Sequence, residues 1–309
     1  MELAIEATDL SKWYGKEKIL AVDHVSLAVK PGEIFGLIGP DGAGKTSIFR
    51  MLTTLLLPNT GTARVNGFDV VKDYLEIRDR VGYMPGRFSL YQDLTVEENL
   101  GFFATVFNTT IEENYHLIKD IYVQLEPFKK RYAGKLSGGM KQKLALCCAL
   151  IHRPEVLFLD EPTTGVDPVS RKEFWEMLAR LKQHGITILV ATPYMDEATR
   201  CDRIALIQEG RILQVDTPAA ITAAYPDRLF QVKGGSMSAT LRALNKLDGI
   251  IRCYGSGEFA HVAVPATATH MEQRIKDHLL AQGLTDVVVR PAIPTIEDVF
   301  IKFTLEKKA

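Results

Sequence analysis

Gly39-Pro40-Asp41-Gly42-Ala43-Gly44-Lys45-Thr46 is the stretch that decides the fold prediction for this sequence. It matches the pattern GxxxxGK[ST] of a phosphate-binding loop, and the mainly apolar run 33–38 before it predicts a buried strand. Glycines let backbone amides approach phosphate oxygens closely, and the helix expected from Lys45 adds its positive N-terminal end. A strand, a glycine-rich loop and a helix in this order predict an α/β domain that binds a nucleotide.

The side chains of this loop indicate how a triphosphate is held. Lys45 is predicted to neutralise the β- and γ-phosphates of ATP, and the Thr46 hydroxyl is placed to coordinate Mg²⁺. Loop amides and neighbouring side chains supply the other contacts. The predicted nucleotide-binding residues of this segment are Gly39, Asp41, Gly42, Ala43, Gly44, Lys45, Thr46 and Ser47.

Two acidic residues follow a second apolar run. Val156-Leu157-Phe158-Leu159 predicts a strand, and Asp160 closes it. The Asp160 carboxylate is predicted to hold the same Mg²⁺ as Thr46. Glu161 stands next to the metal, where a carboxylate can polarise a water molecule towards the γ-phosphate. Glu161 is therefore the candidate general base.

A further motif, Leu136-Ser137-Gly138-Gly139-Met140, precedes an apolar helix predicted to end near Ile151. Serine and glycine at a helix start form an anion site. The motif lies between the phosphate loop and Asp160, and it resembles the signature of ATP-binding cassette (ABC) proteins. That resemblance implies that Ser137, Gly138 and Gly139 face the γ-phosphate held by an opposite subunit. Catalysis then requires a dimer.

Two more segments resemble the same family. Tyr14, in Lys12-Trp13-Tyr14-Gly15, resembles the aromatic residue that stacks on adenine. Gly165-Val166-Asp167-Pro168 resembles the loop that contacts the partner's site, which adds Asp167 to the nucleotide-binding residues. The resemblance covers roughly the first 215 residues and implies ATP and Mg²⁺ as ligands.

Two family residues are absent. Val81-Gly82-Tyr83-Met84-Pro85 should lead to a glutamine that senses Mg²⁺ and the attacking water, but residue 86 is glycine. The family's Thr-His pair appears as Thr192-Pro193, so no imidazole is available to contact the γ-phosphate. Loss of one preorganised donor costs about 100- to 1000-fold in turnover. The sequence thus predicts ATP binding with a partly degenerate catalytic site.

Two subunit arrangements fit these losses. In a homodimer both composite sites would lack the glutamine and the histidine, and slow hydrolysis would rest on Glu161 and Lys45. In a heterodimer Ser137 and Gly139 would complete a competent site on another subunit, while this chain's own site hydrolyses ATP poorly. We favour the heterodimer as a hypothesis, and the presence of Glu161 argues against a fully inactive site.

Composition limits the class of protein. A chain of 309 residues has room for one large and one small domain, and a net charge of −1 gives no general affinity for nucleic acid. No apolar run approaches the roughly 20 residues of a membrane span. The N-terminal segment 1–10 contains acids, unlike a signal peptide. We expect a cytoplasmic protein, bound peripherally at the inner face of the cell membrane.

Pattern along the chain predicts two domains. Residues 1–220 are predicted to form the ABC ATPase domain, a mixed sheet with helices, including a helical subdomain at about 87–150. Thr95, with Glu98 three residues later, is a predicted helix cap in that subdomain. After Val156, strands alternate with helices at 171–184 and 194–201, which indicates a parallel sheet.

Residues 226–309 have a different character. Their predicted order is βαββαβ, the ferredoxin-like α+β pattern. His261 and His270 are expected to be isolated, either solvated or packed. The closing Pro294-Thr295-Ile296-Glu297-Asp298-Val299-Phe300 resembles the tail of ATPase subunits in drug-resistance and A-type exporters with ABC-2 membrane partners. This resemblance implies an exporter.

The sequence is compatible with three candidate functions. The leading one is the ATP-hydrolysing subunit of a multidrug or lipid-like exporter with an ABC-2 permease partner. A second is a catalytically weak ATP-binding cassette that only regulates an active partner, an alternative that Gly86 and Pro193 keep open. A third is a soluble ABC ATPase acting on ribosomes or DNA. It is disfavoured because the chain has neither a second cassette nor a long coiled-coil insertion.

Overall fold

The structure is a computed structural model that describes residues 2–306. The chain consists of two compact units, with the boundary between Pro218 and Ala219. Each unit has its own hydrophobic core. Among residues 2–306, no helix combines the length and apolar content that a membrane crossing needs.

Ten strands are described in the first unit. They are β1 (Ile5–Tyr14), β2 (Ile19–Val29), β3 (Ile34–Ile38), β4 (Thr60–Val65), β5 (Phe68–Asp69), β6 (Val81–Met84), β7 (Val156–Asp160), β8 (Thr187–Thr192), β9 (Arg203–Gln208) and β10 (Arg211–Asp216). The α-helices of the first unit are α1 (Lys45–Leu52), α2 (Tyr74–Arg80), α3 (Val96–Val106), α4 (Ile111–Tyr122), α5 (Gly138–Leu150) and α6 (Pro168–Gln183), and α7 (Pro218–Ala223) begins at the last residue of this unit.

The larger sheet has the order β10-β9-β3-β8-β7-β6. Strands β9, β3, β8, β7 and β6 run parallel, and β10 pairs antiparallel with β9. Every residue of β3, β7 and β8 is buried, as expected for parallel strands covered on both faces. Parallel strands end at the same edge. The phosphate loop after β3, the acids after β7 and the turn after β8 therefore share that edge.

A smaller antiparallel sheet, β2-β1-β4-β5, packs with the larger sheet around one core. Helix α1 contributes to this core from the phosphate loop. Its Phe49 ring meets the Phe158 ring of β7 edge-on, with centroids 5.8 Å apart. Burial of one face of α1 holds the start of this helix at the end of the phosphate loop.

Helices α3, α4 and α5 lie between β6 and β7, where a helical subdomain was predicted. The cap predicted at Thr95 is confirmed: its hydroxyl accepts the Glu98 N–H at 3.2 Å, and the Glu98 carboxylate accepts the Thr95 N–H at 2.8 Å. Thr110 and Glu113 repeat this reciprocal cap at the start of α4. The reciprocal bonds satisfy amides that have no partner within the first turn.

The helix predicted over 194–201 is a 3₁₀ helix, Met195–Arg200. Its hydrogen bonds span three residues, from the Glu197 N–H to the Tyr194 carbonyl at 3.2 Å and from the Cys201 N–H to the Ala198 carbonyl at 3.1 Å. This tighter winding coincides with the inward turn of the Glu197 side chain, which is buried. The predicted helix is therefore present, with a tighter winding and bounds one residue shorter at each end.

The second unit contains a four-stranded antiparallel sheet with helices. Its elements are β11 (Arg228–Lys233), α8 (Met237–Leu244), β12 (Arg252–Ser256), β13 (Phe259–Val264), α9 (Met271–Ala281), β14 (Val288–Ala292) and α10 (Ile296–Glu306). The sheet order is β12-β13-β11-β14. Leu244 of α8 and Ile275 of α9 pack on Phe230 and Val262 of the sheet.

His261 is packed, one of the two environments predicted for it, but it is not isolated. His261 is buried, and its Nδ1 lies 2.7 Å from an Asp298 carboxylate oxygen. The Tyr254 hydroxyl donates to the same oxygen, and the Thr295 hydroxyl donates to the other at 2.6 Å. The tail residue Asp298 thus ties the start of α10 to β12 and β13.

Candidate functional site

The phosphate loop has a backbone that requires glycine at two positions. The Gly39 N–H donates to the Thr192 carbonyl at 3.2 Å, and a Cβ on Gly39 would lie 2.1 Å from the Ile207 carbonyl oxygen. Gly44 has a φ of +99°, and a Cβ there would lie 2.4 Å from the Ala21 carbonyl oxygen. Larger residues at either position would displace β9 or β2 from the loop.

Lys45 is buried at the centre of the loop. Its ammonium group donates to the carbonyls of Gly39 at 2.8 Å and Pro40 at 2.9 Å. It also lies 3.3 Å from the Glu161 carboxylate. These contacts hold the ammonium within the loop, where phosphate oxygens can replace one of its acceptors.

Asp160 carries a buried carboxylate, 2% exposed, at the end of β7. Its Oδ1 has no hydrogen-bond partner among the described residues. Burial raises the pKa of Asp160, a hydrogen bond with Thr46 lowers it, and the neighbouring Glu161 charge raises it again. A buried oxygen without a partner beside a threonine hydroxyl fits a hard divalent cation such as Mg²⁺. Thr46 and Asp160 would hold that ion.

Glu161 follows directly, and its backbone is constrained. Its N–H donates to the Ala191 carbonyl at 2.8 Å, and its φ is +51°. Left-handed backbone at a residue other than glycine is uncommon and concentrates at functional sites. The constraint fixes the Glu161 side chain beside Lys45, and therefore beside the position expected for the γ-phosphate.

Tyr14 and Ser47 are neighbours on the other side of the loop. The Tyr14 hydroxyl lies 3.0 Å from the Ser47 Oγ, and 39% of Tyr14 is exposed. The Lys12 ammonium lies 5.7 Å from the centre of the Tyr14 ring. The exposed Tyr14 ring, next to Ser47, offers a flat face on which the adenine ring of a nucleotide can stack. Asp41 and Gly42 are exposed at the tip of the loop.

A second group of predicted residues gathers at the starts of α5 and α6. The exposed Ser137 caps α5 by accepting the Met140 N–H at 3.4 Å. A Cβ on Gly139 would lie 3.0 Å from the Ser170 Oγ, and one on Gly138 would lie 3.5 Å from the Gly165 carbonyl. Within residues 2–306, no hydrogen bond or ion pair joins this group to the phosphate loop.

Asp167 completes the second group by capping α6. It accepts the N–H groups of Val169 at 3.1 Å and Ser170 at 3.0 Å, and the bonds with Ser170 lower the pKa of Asp167. The carboxylate is therefore ionised and fixed at the helix start. Ser170 bonds to Asp167 and also lies next to Gly139, so the structure brings Asp167 close to the glycines of the signature motif.

Positions 86 and 193, where the glutamine and the histidine were expected, lie close to the acids at the end of β7 and to the phosphate loop. A Cβ on Gly86 would lie 3.1 Å from the Asp160 carbonyl oxygen and 3.7 Å from the Glu161 Cβ. Pro193 follows Thr192, whose carbonyl is bonded to Gly39. Side chains at these positions would start beside the acids and the phosphate loop. Glycine and proline provide no polar side-chain group there.

A family model for the ABC transporter matches residues 22–164, which include the phosphate loop, the signature motif and both acids. The chain is 41% identical over 307 residues to the Nod factor export ATP-binding protein I of Paraburkholderia xenovorans (strain LB400), an alignment that covers 98% of this chain and 97% of that protein. The chain belongs to the ATP-binding proteins of ABC transporters.

A longer relative belongs to the same family. The probable multidrug ABC transporter ATP-binding protein YbhF of Escherichia coli (strain K12) is 40% identical over 290 residues. That alignment covers 91% of this chain but 48% of YbhF, so the chain spans about half the length of this relative.

Solved structures of ABC cassettes share the fold of most of the chain. One, an ATP-binding subunit of an ABC transporter, superposes with a TM-score of 0.65 at 28% identity, covering 72% of this chain and 93% of that one. Another is the dimeric structure of MJ0796, a bacterial ABC transporter cassette. Its TM-score is 0.62 at 25% identity, and it covers 69% of this chain and 98% of that one.

Several residues of this ABC cassette site were not predicted from the sequence. The Arg50 charge lowers the pKa of Asp160, and burial together with the Asp160 charge raises the pKa of Tyr83 to about 12. Arg50 stands five residues after Lys45, and Tyr83 three before Gly86, so proximity to the motifs was the available signal. Glu197 had no such signal, because its environment comes from three separate segments.

Proposed function

We propose that this chain binds MgATP and hydrolyses it to energise an ABC-type exporter. The observation that carries the proposal is the convergence of Lys45, Asp160 and Glu161, with an unpartnered Asp160 oxygen, at one edge of the sheet. The relatives support export, since one is named for Nod factor export and another for multidrug transport. The proposed substrate is a multidrug or lipid-like molecule.

The residues of the site have distinct roles in hydrolysis. Lys45 exchanges its contact with Glu161 for the β- and γ-phosphates of ATP, which releases the Glu161 carboxylate. Glu161 then accepts a proton from a water molecule while the water oxygen bonds to the γ-phosphorus and the bond to ADP breaks. Thr46 and Asp160 would hold Mg²⁺, whose charge would offset that of the phosphates. The loop amides and Lys45 hold the substrate in place.

Catalysis in this site is proposed to be slow. Gly86 removes a polar group next to Glu161, and Pro193 removes one next to the phosphate loop; each lost donor costs about 3 to 4 kcal/mol of barrier lowering. Binding depends instead on Lys45, Thr46 and the loop amides, which are all present. The second candidate function, a weakly hydrolysing regulatory cassette, rests on these same two positions.

A second cassette and a membrane permease are the proposed partners. Ser137 and Gly138 are exposed at the start of α5, so an ATP molecule on another subunit can reach them. The dimeric state of the MJ0796 cassette supports such pairing. We favour a heterodimer, because the competent signature then serves a complete partner site; a homodimer is the alternative. An ABC-2 permease would hold the complex at the inner face of the cell membrane.

The domain assignments complete the proposal. We assign residues 1–220 to the ABC ATPase domain and 226–309 to a ferredoxin-like domain. The element order βαββαβ and the wholly antiparallel sheet support the second assignment. This domain would regulate or stabilise the dimer.

One experiment separates the candidate functions. Purified chain is assayed for Mg-dependent ATP binding by equilibrium dialysis and for hydrolysis under single-turnover conditions, with and without a second cassette from the same membrane complex. An ATPase subunit hydrolyses slowly alone, and its Glu161→Gln variant stops. A regulatory cassette binds ATP equally but shows no hydrolysis that depends on its own Glu161. Absence of ATP binding contradicts both functions, and co-purification with ribosomes instead of a membrane protein contradicts export.

A further inference from the structure

Glu197 is a buried carboxylate outside the motifs that bind ATP. It is 3% exposed and belongs to the 3₁₀ helix that follows β8. Its two oxygens accept hydrogen bonds from three different segments of the chain. Such a group is costly to bury unless every lone pair finds a partner. The identity of those partners therefore indicates what Glu197 does.

One partner belongs to the loop that begins with the proposed base. The Thr163 hydroxyl donates to Glu197 Oε1 at 2.8 Å, and Thr163 is itself buried. Thr163 stands two residues after Glu161, and the Thr164 N–H donates back to the Glu161 carbonyl at 3.2 Å. The Thr163 contact therefore restrains the turn that orients the Glu161 side chain.

A second partner closes the turn next to position 193. The Thr192 hydroxyl donates to Glu197 Oε2 at 2.6 Å and accepts the Tyr194 N–H at 3.1 Å. Pro193 lies between these two residues. The turn where the family resemblance implies a histidine is thus fixed here by side-chain and backbone hydrogen bonds on both sides of the proline.

The third partner is Arg171 in the first turn of α6. Its Nε and Nη2 lie 3.1 Å and 3.0 Å from Glu197 Oε1, and its guanidinium stacks on the Tyr194 ring at 4.3 Å. Arg171 also contacts the exposed Asp196 at 3.3 Å. The loop Gly165-Val166-Asp167-Pro168 connects Thr163 to this helix turn, so Glu197 holds both ends of it.

We propose that Glu197 is a positioning residue. Its hydrogen bonds connect the Glu161 turn, the Thr192–Tyr194 turn and the 165–168 loop, so that these three segments move together. Contact of a second cassette with the 165–168 loop then sets the orientation of Glu161. This inference rests on the proposed function for the role of Glu161, but the mechanical link itself does not.

The substitution Glu197→Gln tests the link with little change in size. The NH₂ group of the glutamine amide cannot accept a hydrogen bond, so the bond from either Thr163 or Thr192 is lost. The substitution also removes the ion pair with Arg171. Asp196→Asn is the matched control, because it removes only the exposed contact with Arg171. Both variants are made in the full chain and compared by thermal unfolding to confirm that they fold.

Hydrogen–deuterium exchange of the ATP-bound chain is the first measurement. Glu197→Gln is expected to raise amide exchange at least about tenfold in peptides covering 161–168 and 192–196, and to leave the phosphate loop 39–46 unchanged. Asp196→Asn should match wild type in all three regions. Unchanged exchange in 161–168 would overturn the proposal, as would a uniform rise across the first unit.

Single-turnover hydrolysis is the second measurement. A misplaced base is expected to lower the rate constant about 10- to 100-fold in Glu197→Gln, with the Kd for ATP within about twofold of wild type. An unchanged rate constant in a folded variant would overturn the proposal. If wild type itself shows no hydrolysis, the proposed ATPase function fails, and the exchange result alone decides whether Glu197 links the two loops.

Discussion

The Lys45 ammonium lies 3.3 Å from the Glu161 carboxylate, although the two residues belong to loops after different strands. Two loop carbonyls complete the environment of Lys45. The ion pair places the group that binds phosphate next to the group proposed to activate water. It also means that ATP competes with Glu161 for Lys45, so binding and activation of the base are coupled.

Lys45→Ala is expected to abolish measurable ATP binding. The substitution removes the buried charge that faces the phosphates and leaves two loop carbonyls without their donor. We expect the Kd for MgATP, measured by equilibrium dialysis, to rise by at least about 100-fold. Lys172→Ala is the control, since Lys172 is an exposed residue of α6. Equal affinities of Lys45→Ala and wild type would refute the assigned role of Lys45.

Glu161→Gln is expected to separate binding from hydrolysis. The amide keeps the size of the side chain but cannot accept the proton of the attacking water. Single-turnover hydrolysis should fall by about 100- to 10,000-fold, while the Kd for ATP stays equal or decreases because the competing negative charge is gone. Glu176→Gln, on the exposed side of α6, should behave like wild type. Retained hydrolysis in Glu161→Gln would mean that another group is the base.

Gly86→Gln combined with Pro193→His is expected to increase hydrolysis. A Cβ at position 86 starts 3.7 Å from the Glu161 Cβ, so a glutamine amide can reach the region of the attacking water. The Cβ is 3.1 Å from the Asp160 carbonyl, and the chain must shift by a few tenths of an ångström to admit it. We expect a gain of at least about tenfold, measured under single-turnover conditions.

The control for this gain is Gly86→Ala with Pro193→Ala. It introduces the same Cβ atoms without polar groups, so any effect of backbone stiffness appears in both double variants. A similar rate in the two would show that the missing polar groups do not limit hydrolysis.

Local pattern predicted the elements that carry the phosphate loop, because apolar runs, glycines and caps act within a few residues of each other. Thr95 and Glu98, three residues apart, were recognised for that reason. Glu197 was missed, since its partners Thr163 and Arg171 are more than 25 positions away. From sequence alone, a buried acid cannot be distinguished from a surface acid, because its hydrogen-bond donors come together only in the folded chain.

The same limit applies to the second unit. His261 meets Tyr254 and Gln231 through the pairing of β13 with β12 and β11. Asp298 reaches His261 only once α10 is placed against the sheet. The sequence showed one histidine and one acid 37 positions apart, with nothing to relate them.

Asp298→Asn is expected to destabilise the second unit in a pH-dependent manner. Burial raises the pKa of Asp298, but hydrogen bonds from His261, Thr295 and Tyr254 outweigh it and lower the pKa from 3.8 to about 2. A carboxylate with a lowered native pKa stabilises the fold above its unfolded pKa, and this contribution is lost as pH falls towards the native pKa. The shift corresponds to about 2 kcal/mol near neutral pH.

The loss is measured by hydrogen exchange of β11 and β13 peptides, corrected for intrinsic rates, at pH 6 and pH 3. Asp298→Asn should lower the opening free energy of these strands by about 2 kcal/mol at pH 6, and by roughly 1 kcal/mol less at pH 3, where the wild-type carboxylate is closer to its own pKa. Asp277→Asn, an exposed residue of α9, should show no difference at either pH. A destabilisation by Asp298→Asn that is equal at both pH values would mean that the hydrogen bonds of the side chain matter but its charge does not, because only an ionising group makes the difference depend on protons.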